Sequence, residues 1–145
     1  PAELVLDMGR EVVGSLALQI TVLQPAQILV RYGEALCQVL DPTLVQPDDA
    51  ADERFCRDVG PWVLRSKARH AFRYLRLSAT ECSVALENLW AEHFAYTGPW
   101  RGQFSCADRL LNRVWALCVD TLAACTREVI EDAPTRGAAA SSVLA

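Results

Sequence analysis

The residues of this chain best equipped for chemistry stand close to its end, in Glu131–Arg136, EDAPTR. A carboxylate directly after an amphipathic run, fixed by a proline and followed by an arginine, is held at a defined place, as a group that orients a polar substrate must be. The same six residues also read as a plain helix stop carrying solvated charges. From Gly137 to Ala145 the chain becomes small and nearly featureless. The other chemical candidates are sparse. Of the two histidines, His93 lies in AEHFAY near a strand end, where a hydrogen-bonded structural role is expected; His70 precedes another strand. Trp62, Trp90, Trp100 and Trp115 have faces that stack on sugar rings, but aromatics of an antiparallel sandwich are expected in its core. No nucleophile elbow, phosphate loop, His-Glu-x-x-His or dinucleotide fingerprint occurs.

Six cysteines, Cys37, Cys56, Cys82, Cys106, Cys118 and Cys125, include no Cys-x-x-Cys pair, so the zinc signal is absent. Cys118 and Cys125 are two helical turns apart, about 10.5 Å, too far to bridge. Buried structural thiols in a reducing or indifferent compartment are the expectation. Asp48, Asp49, Asp52 and Glu53 lack the spacing of a calcium loop, and the segment DPTLVQPDDAADERF reads as a solvated loop. No metal and no cofactor are expected.

These groups need elements to position them. At 145 residues the chain is long enough for one ordinary core. Leu16, Leu18, Ile20 and Val22 alternate with Ala17, Gln19 and Thr21, the period of a half-buried strand. Ile28, Val30 and Tyr32 alternate likewise against Gln27, Leu29 and Arg31, and Phe72 and Tyr74 against Arg73 and Leu75. CSVALENLWAEHF is apolar enough to leave strand and helix hard to separate, although its neighbours favour strand. Short strands between turn signals predict a mainly β fold, an antiparallel, jelly-roll-like β-sandwich. After YTGPWRGQF the period becomes 3.6: Leu111, Val114, Trp115, Cys118, Leu122, Cys125 and Val129 share one face. One long helix is predicted over about 105–131, with Ser105 and Asp108 as a capping box and Pro134 beyond its end. A lone amphipathic helix cannot bury such a stripe unless it meets another element.

A net charge of −4 with no basic stripe predicts no nucleic-acid partner. No apolar run reaches the ~20 residues of a membrane span, and no signal-peptide pattern opens the chain, so no membrane partner is expected. The expected location is cytoplasmic, with secretion of a parent protein left open.

Taken in order, LDMGREVVGSLALQI, ILVRYGEAL, HAFRYLRL, LWAEHFAY, GQFSCADRLLNRVWALC and EDAPTR resemble the bacterial α-L-rhamnosidases of glycoside hydrolase family 78. Asp7, Gly9, Arg10, Gly14, Tyr32, Gly33, Glu34, Phe72, Arg73, Tyr74, Gly102, Phe104, Leu111 and Asn112 fall where that family's pattern has them. The resemblance implies a β-sandwich accessory domain over 1–96, a linker over 97–104, the first helix and start of a truncated (α/α)6 catalytic barrel over 105–136, and an aberrant or disordered tail over 137–145. It implies a missing barrel that packs on the face of Leu111, Val114, Trp115, Cys118 and Leu122. Its members are inverting hydrolases that release terminal α-L-rhamnose, so a rhamnose-containing glycoside is the substrate implied for the parent enzyme.

The family's site begins with a segment of the form Asp-Gly-Pro-Lys-Arg-Asp/Glu-Arg-x-Gly-Trp-x-Gly-Asp. Asp132 matches its first, sugar-contacting Asp, Pro134 the Pro and Arg136 the Arg, which makes Asp132 and Arg136 the implied substrate-binding residues. The match then stops: Gly137 stands at the general-acid position, Ser141 at the sugar-stacking Trp and Leu144 at a second substrate Asp. The catalytic base falls beyond Ala145. No catalytic residue is therefore assigned in this chain, and the sharp break suggests a shifted reading frame or a truncated gene. The alternative reading is a non-catalytic sandwich that serves as a carbohydrate-binding or interaction module.

Overall fold

The computed structural model describes residues 2–44, 52–80, 84–93, Gly98 and 101–126. The chain divides into two compact units, Pro1–His93 and Phe94–Ala145. The first is mainly β, as the alternation predicts: strands β1 (Ala2–Val22), β2 (Ala26–Gly33), β3 (Glu53–Arg57), β4 (Gly60–Arg65), β5 (His70–Ala79) and β6 (Val84–His93), with a short helix α1 (Leu36–Leu40) after β2. The second contains helix α2 (Arg109–Cys125).

The strands form one antiparallel sheet in the order β3-β2-β5-β1-β4, with β6 paired to β1 off that path. Strand β1 serves three partners. Ala2–Gly14 pairs with β5, whereas Gly14–Val22 is flanked by β6 on one side and, from Ala17 on, by β4 on the other. The register forces the sheet to curl. Ala2 pairs with Ala79, which pairs with Ile28, only six residues beyond Val22. Chain reach and strand spacing then hold the two ends of β1 within about 30 Å, whereas its 21 residues drawn straight would span about 70 Å.

The bend coincides with a bulge. Between Asp7 and Val12 the pairing with β5 shifts, and Gly9 sits there at φ 77°, a left-handed conformation that glycine adopts without a Cβ penalty. The Asp7 carboxylate secures it, accepting from the Gly9 amide at 2.8 Å and from both ends of the Arg73 guanidinium at 2.9 and 3.0 Å. Hydrogen bonds from Arg73 and then from Gly9 hold the Asp7 carboxyl below its ordinary range. At Gly14 the reason for glycine is different: a Cβ would overlap the Glu92 carbonyl oxygen of β6.

The core lies on one face of the curled sheet. Leu16, Leu18, Ile20 and Val22 of β1 meet Ile28, Val30 and Tyr32 of β2, all buried in the predicted alternation. Phe55, Leu64, Phe72 and Leu75 complete it. On β5 the predicted phase fails: Phe72 and Leu75 are both fully buried while Tyr74 is half-buried, because this stretch faces the bulge of β1. The ambiguous apolar run resolves as strand β6 over Val84–His93. Helix α1 has no counterpart in the predicted elements, and the loop expected to run on to Phe55 gives way to β3 at Glu53, with Phe55 in the core.

The tryptophan and cysteine expectations need correction. Trp62 and Trp115 are exposed and Trp90 is half-buried, so none of the three described indoles is a core residue. Of the described cysteines only Cys125 is buried; Cys37, Cys56 and Cys118 are exposed and Cys106 is intermediate. Cys82 and Trp100 lie outside the described residues.

Candidate functional site

Asp132 and Arg136, the substrate-binding candidates, and Gly137, Ser141 and Leu144 beyond them lie outside the described residues. The element that leads to them is described. Helix α2 starts at Arg109, four residues later than predicted, because Asp108 is its cap: the Asp108 Oδ1 accepts from the Leu110 amide at 2.7 Å. Ser105 does not act as the cap. Asn112 ties the preceding loop to the first turn, accepting from the Cys106 amide at 3.0 Å and donating to its carbonyl at 2.8 Å. Phe104 packs against Trp115 with ring centroids 5.6 Å apart. Two of the resemblance residues, Phe104 and Asn112, thus brace the entry into α2. The part of the predicted helix beyond Thr126 lies outside the described residues.

The apolar stripe of α2 is bare from Leu111 to Leu122, and Cys125 at its end is buried. Leu111, Val114, Trp115, Cys118 and Leu122 are all exposed, as are Leu110 and Leu117. Covering one large apolar side chain is worth ~1.5–3 kcal/mol, so a row of them drives association. Light scattering of the 145-residue polypeptide is expected to show concentration-dependent self-association, which Leu111→Lys weakens. A clean monomer with Trp115 shielded from aqueous quenchers would refute this.

In the β unit, His93 has the structural role expected, its Nδ1 accepting from the Val13 amide at 3.4 Å. A second polar cluster went unread in the sequence. Arg31 grips Asp52 through two nitrogens, at 2.9 and 2.6 Å, and next to them Glu53 gathers four groups. Its Oε2 accepts from the Tyr32 hydroxyl at 2.9 Å. Its Oε1 accepts from the amides of Lys67 and Ala68 at 2.7 and 3.3 Å, and lies 3.4 Å from His70 Nε2. The imidazole, 2% exposed, stacks on the Tyr32 ring at 3.7 Å; that orientation leaves neither ring nitrogen a well-formed hydrogen bond. Burial pushes the Glu53 carboxyl up, but the contacts from His70, Lys67 and Tyr32 together outweigh it and hold the carboxyl below its ordinary value. Burial first, then the Glu53 charge, raise the Tyr32 hydroxyl far above its usual range.

Neither cluster is built for turnover. Asp7 is saturated by its own partners, and Glu53 is closed over by packed rings. An open hollow of about 310 Å³ lined by Pro25, Ala26, Gln27, Cys56, Arg57 and Asp58 contains a single carboxylate, where acid and base catalysis of glycoside hydrolysis needs two. Among the described residues no three His, Cys, Asp or Glu are grouped to hold a metal ion, and no helix is long and apolar enough to cross a membrane.

The family model described as the bacterial alpha-L-rhamnosidase concanavalin-like domain matches residues 1–95. Among solved structures, a rhamnosidase from Klebsiella oxytoca with rhamnose bound superposes with a TM-score of 0.76 at 21% identity, over 93% of this chain and 29% of that one. A GH78 family rhamnosidase of Bacillus sp. GL1 gives a TM-score of 0.76 at 24% identity, over 92% of this chain and 14% of that one. Likeness at these identities is a likeness of fold, and the chain spans less than a third of either protein. No curated protein matches it significantly.

Proposed function

Since the chain belongs to the bacterial α-L-rhamnosidase family through its concanavalin-like domain over residues 1–95, we propose that it is a piece of an inverting α-L-rhamnosidase that has no hydrolytic activity by itself. The observation that carries this reading is the pairing of that domain with helix α2. The helix is capped at its start, and its apolar stripe is exposed, as suits the first helix of a barrel whose other helices would cover it. A binding module needs no such helix.

In the parent, Asp132 and Arg136 would stand at the start of the sugar site. The carboxylate would accept hydrogen bonds from rhamnose hydroxyls, and the arginine would fix its position. Inversion requires a carboxylic acid to protonate the leaving oxygen and a carboxylate ~6.5–9.5 Å away to activate water on the opposite face. Gly137 occupies the position of the acid, so the segment offers contact without proton transfer.

Titration with L-rhamnose, followed by tryptophan fluorescence, separates this reading from its alternative. A piece of an enzyme is expected to give a flat response up to ~10 mM, because affinity for a small sugar comes from an enclosing pocket. Saturable quenching would mean that the sheet is a carbohydrate-binding module, and the fragment reading would fall.

A further inference from the structure

The connection between β4 and β5, Ser66–Arg69, is attached to the rest of the sheet in an unusual way. The Ser66 amide donates to the Leu16 carbonyl at 2.8 Å, which continues the pairing of β4 with β1. The next two amides, of Lys67 and Ala68, have turned away from β1 and both donate to one carboxylate oxygen, Glu53 Oε1. That carboxylate is 11% exposed, and its other oxygen is taken by Tyr32. A single ionisable side chain at the start of β3 thus joins β2, the β4–β5 connection and the first residue of β5.

We propose that Glu53 is an acid-sensitive latch: ionised, it holds the Ser66–Arg69 connection against β2 and β5, and protonation releases that connection while the sheet stays folded. The groups facing it account for both states. From β2 comes the Tyr32 hydroxyl, from β5 the His70 imidazole, and from the connection the amides of Lys67 and Ala68 together with the Ser66 side chain near Tyr32. Lys67 and Arg69 add positive charge on the connection, and the neighbouring Asp52 is engaged by Arg31. The hydroxyl and both amides donate to Glu53, so an ionised carboxylate suits the site. A protonated one loses acceptor strength, and its new O–H finds an acceptor only if the Tyr32 hydroxyl gives up its own donation. Of the core of the sheet only Tyr32 shares in these bonds, through its hydroxyl; Leu16, Leu18 and Phe72 make none of them to Glu53.

The lowered carboxyl sets the sign of the pH dependence. Its contribution is fully present above the ordinary glutamate value of about 4.3 and is lost as pH falls through the lower folded-state value. Proton–nitrogen correlation spectra of the 145-residue chain across roughly pH 3–7 test the latch. The Lys67 and Ala68 amides are expected to move together with the Glu53 carboxyl on one curve centred below the ordinary glutamate value, while the Leu18 and Phe72 amides keep their positions. Their protection from exchange, corrected for intrinsic rate, should fall roughly ten- to a hundredfold through that step, as for loss of a charge-assisted hydrogen bond. Glu53→Gln should show the reduced protection already at neutral pH, and Tyr32→Phe should raise the midpoint. The proposal is overturned if the two amides ignore the Glu53 titration, if Glu53→Gln retains wild-type protection, or if connection and core lose structure in a single transition. Should Glu53→Gln fail to fold, the wild-type titration decides alone.

Discussion

The 145-residue polypeptide is expected to release no p-nitrophenol from p-nitrophenyl α-L-rhamnoside above the uncatalysed rate. Protonation of the leaving oxygen by a positioned acid contributes ~10²–10⁴-fold, and Gly137, which the resemblance puts at the general-acid position, has no proton to give. The losses compound. The resemblance implies that Ser141 and Leu144 stand where the family has a sugar-stacking indole and a second sugar-contacting carboxylate, so the orientation that turns binding into rate is expected to be missing too. Turnover above background that vanishes in Asp132→Ala would place an acid where none is assigned, and the inactive reading would have to be abandoned.

Replacing Phe72 by alanine is expected to cost ~3–5 kcal/mol, the range for deleting a fully buried phenyl ring. The ring is 0% exposed, lies among Val12, Leu16, Leu75 and their neighbours, and meets the Tyr32 ring edge-on with centroids 5.3 Å apart. Its place makes collapse of the cavity difficult. Phe72 pairs with Val12 at the far side of the β1 bulge, where backbone adjustment would break the Asp7–Arg73–Gly9 contacts that secure the bend. Against a total stability of ~5–15 kcal/mol, such a loss lowers the melting temperature of a domain this size by roughly 12 °C or more. Val63→Ala, at an exposed site on β4, serves as the control and should change stability by no more than ~0.5 kcal/mol. Thermal melts in which the two variants shift alike would show that Phe72 is not the centre of the core.

Much of the architecture was legible because it rests on local periodicity. The alternation of Leu16, Leu18, Ile20 and Val22, and of Ile28, Val30 and Tyr32, is a direct record of which face of a strand meets the core. The 3.6 period after Ser105 announced α2 for the same reason. The family was legible too, through small groups of residues whose spacing survives in order, Asp7-x-Gly9 and Phe104 to Asn112 among them. Both groups turn out to make local contacts, the first at a bulge and the second at a helix entry. The substrate candidates Asp132 and Arg136 came from that resemblance alone and lie outside the described residues.

Periodicity could not carry anything decided by a neighbour distant in sequence. Whether Trp62, Trp90 and the cysteines are covered depends on which strand or helix lies over them, so among the described residues the expectation of buried indoles failed and that of buried thiols held only at Cys125. The curl of β1 was illegible because it arises from closing a register between Ala2, Ala79 and Ile28, three residues that share no local pattern. Glu53 is the sharpest case. Among prolines and aspartates it reads as one more solvated charge, and only the folded sheet brings to it a hydroxyl from 21 residues upstream and an amide from 14 residues downstream. A carboxylate withdrawn from water stays ionised only where donors surround it, and those donors are assembled by tertiary structure.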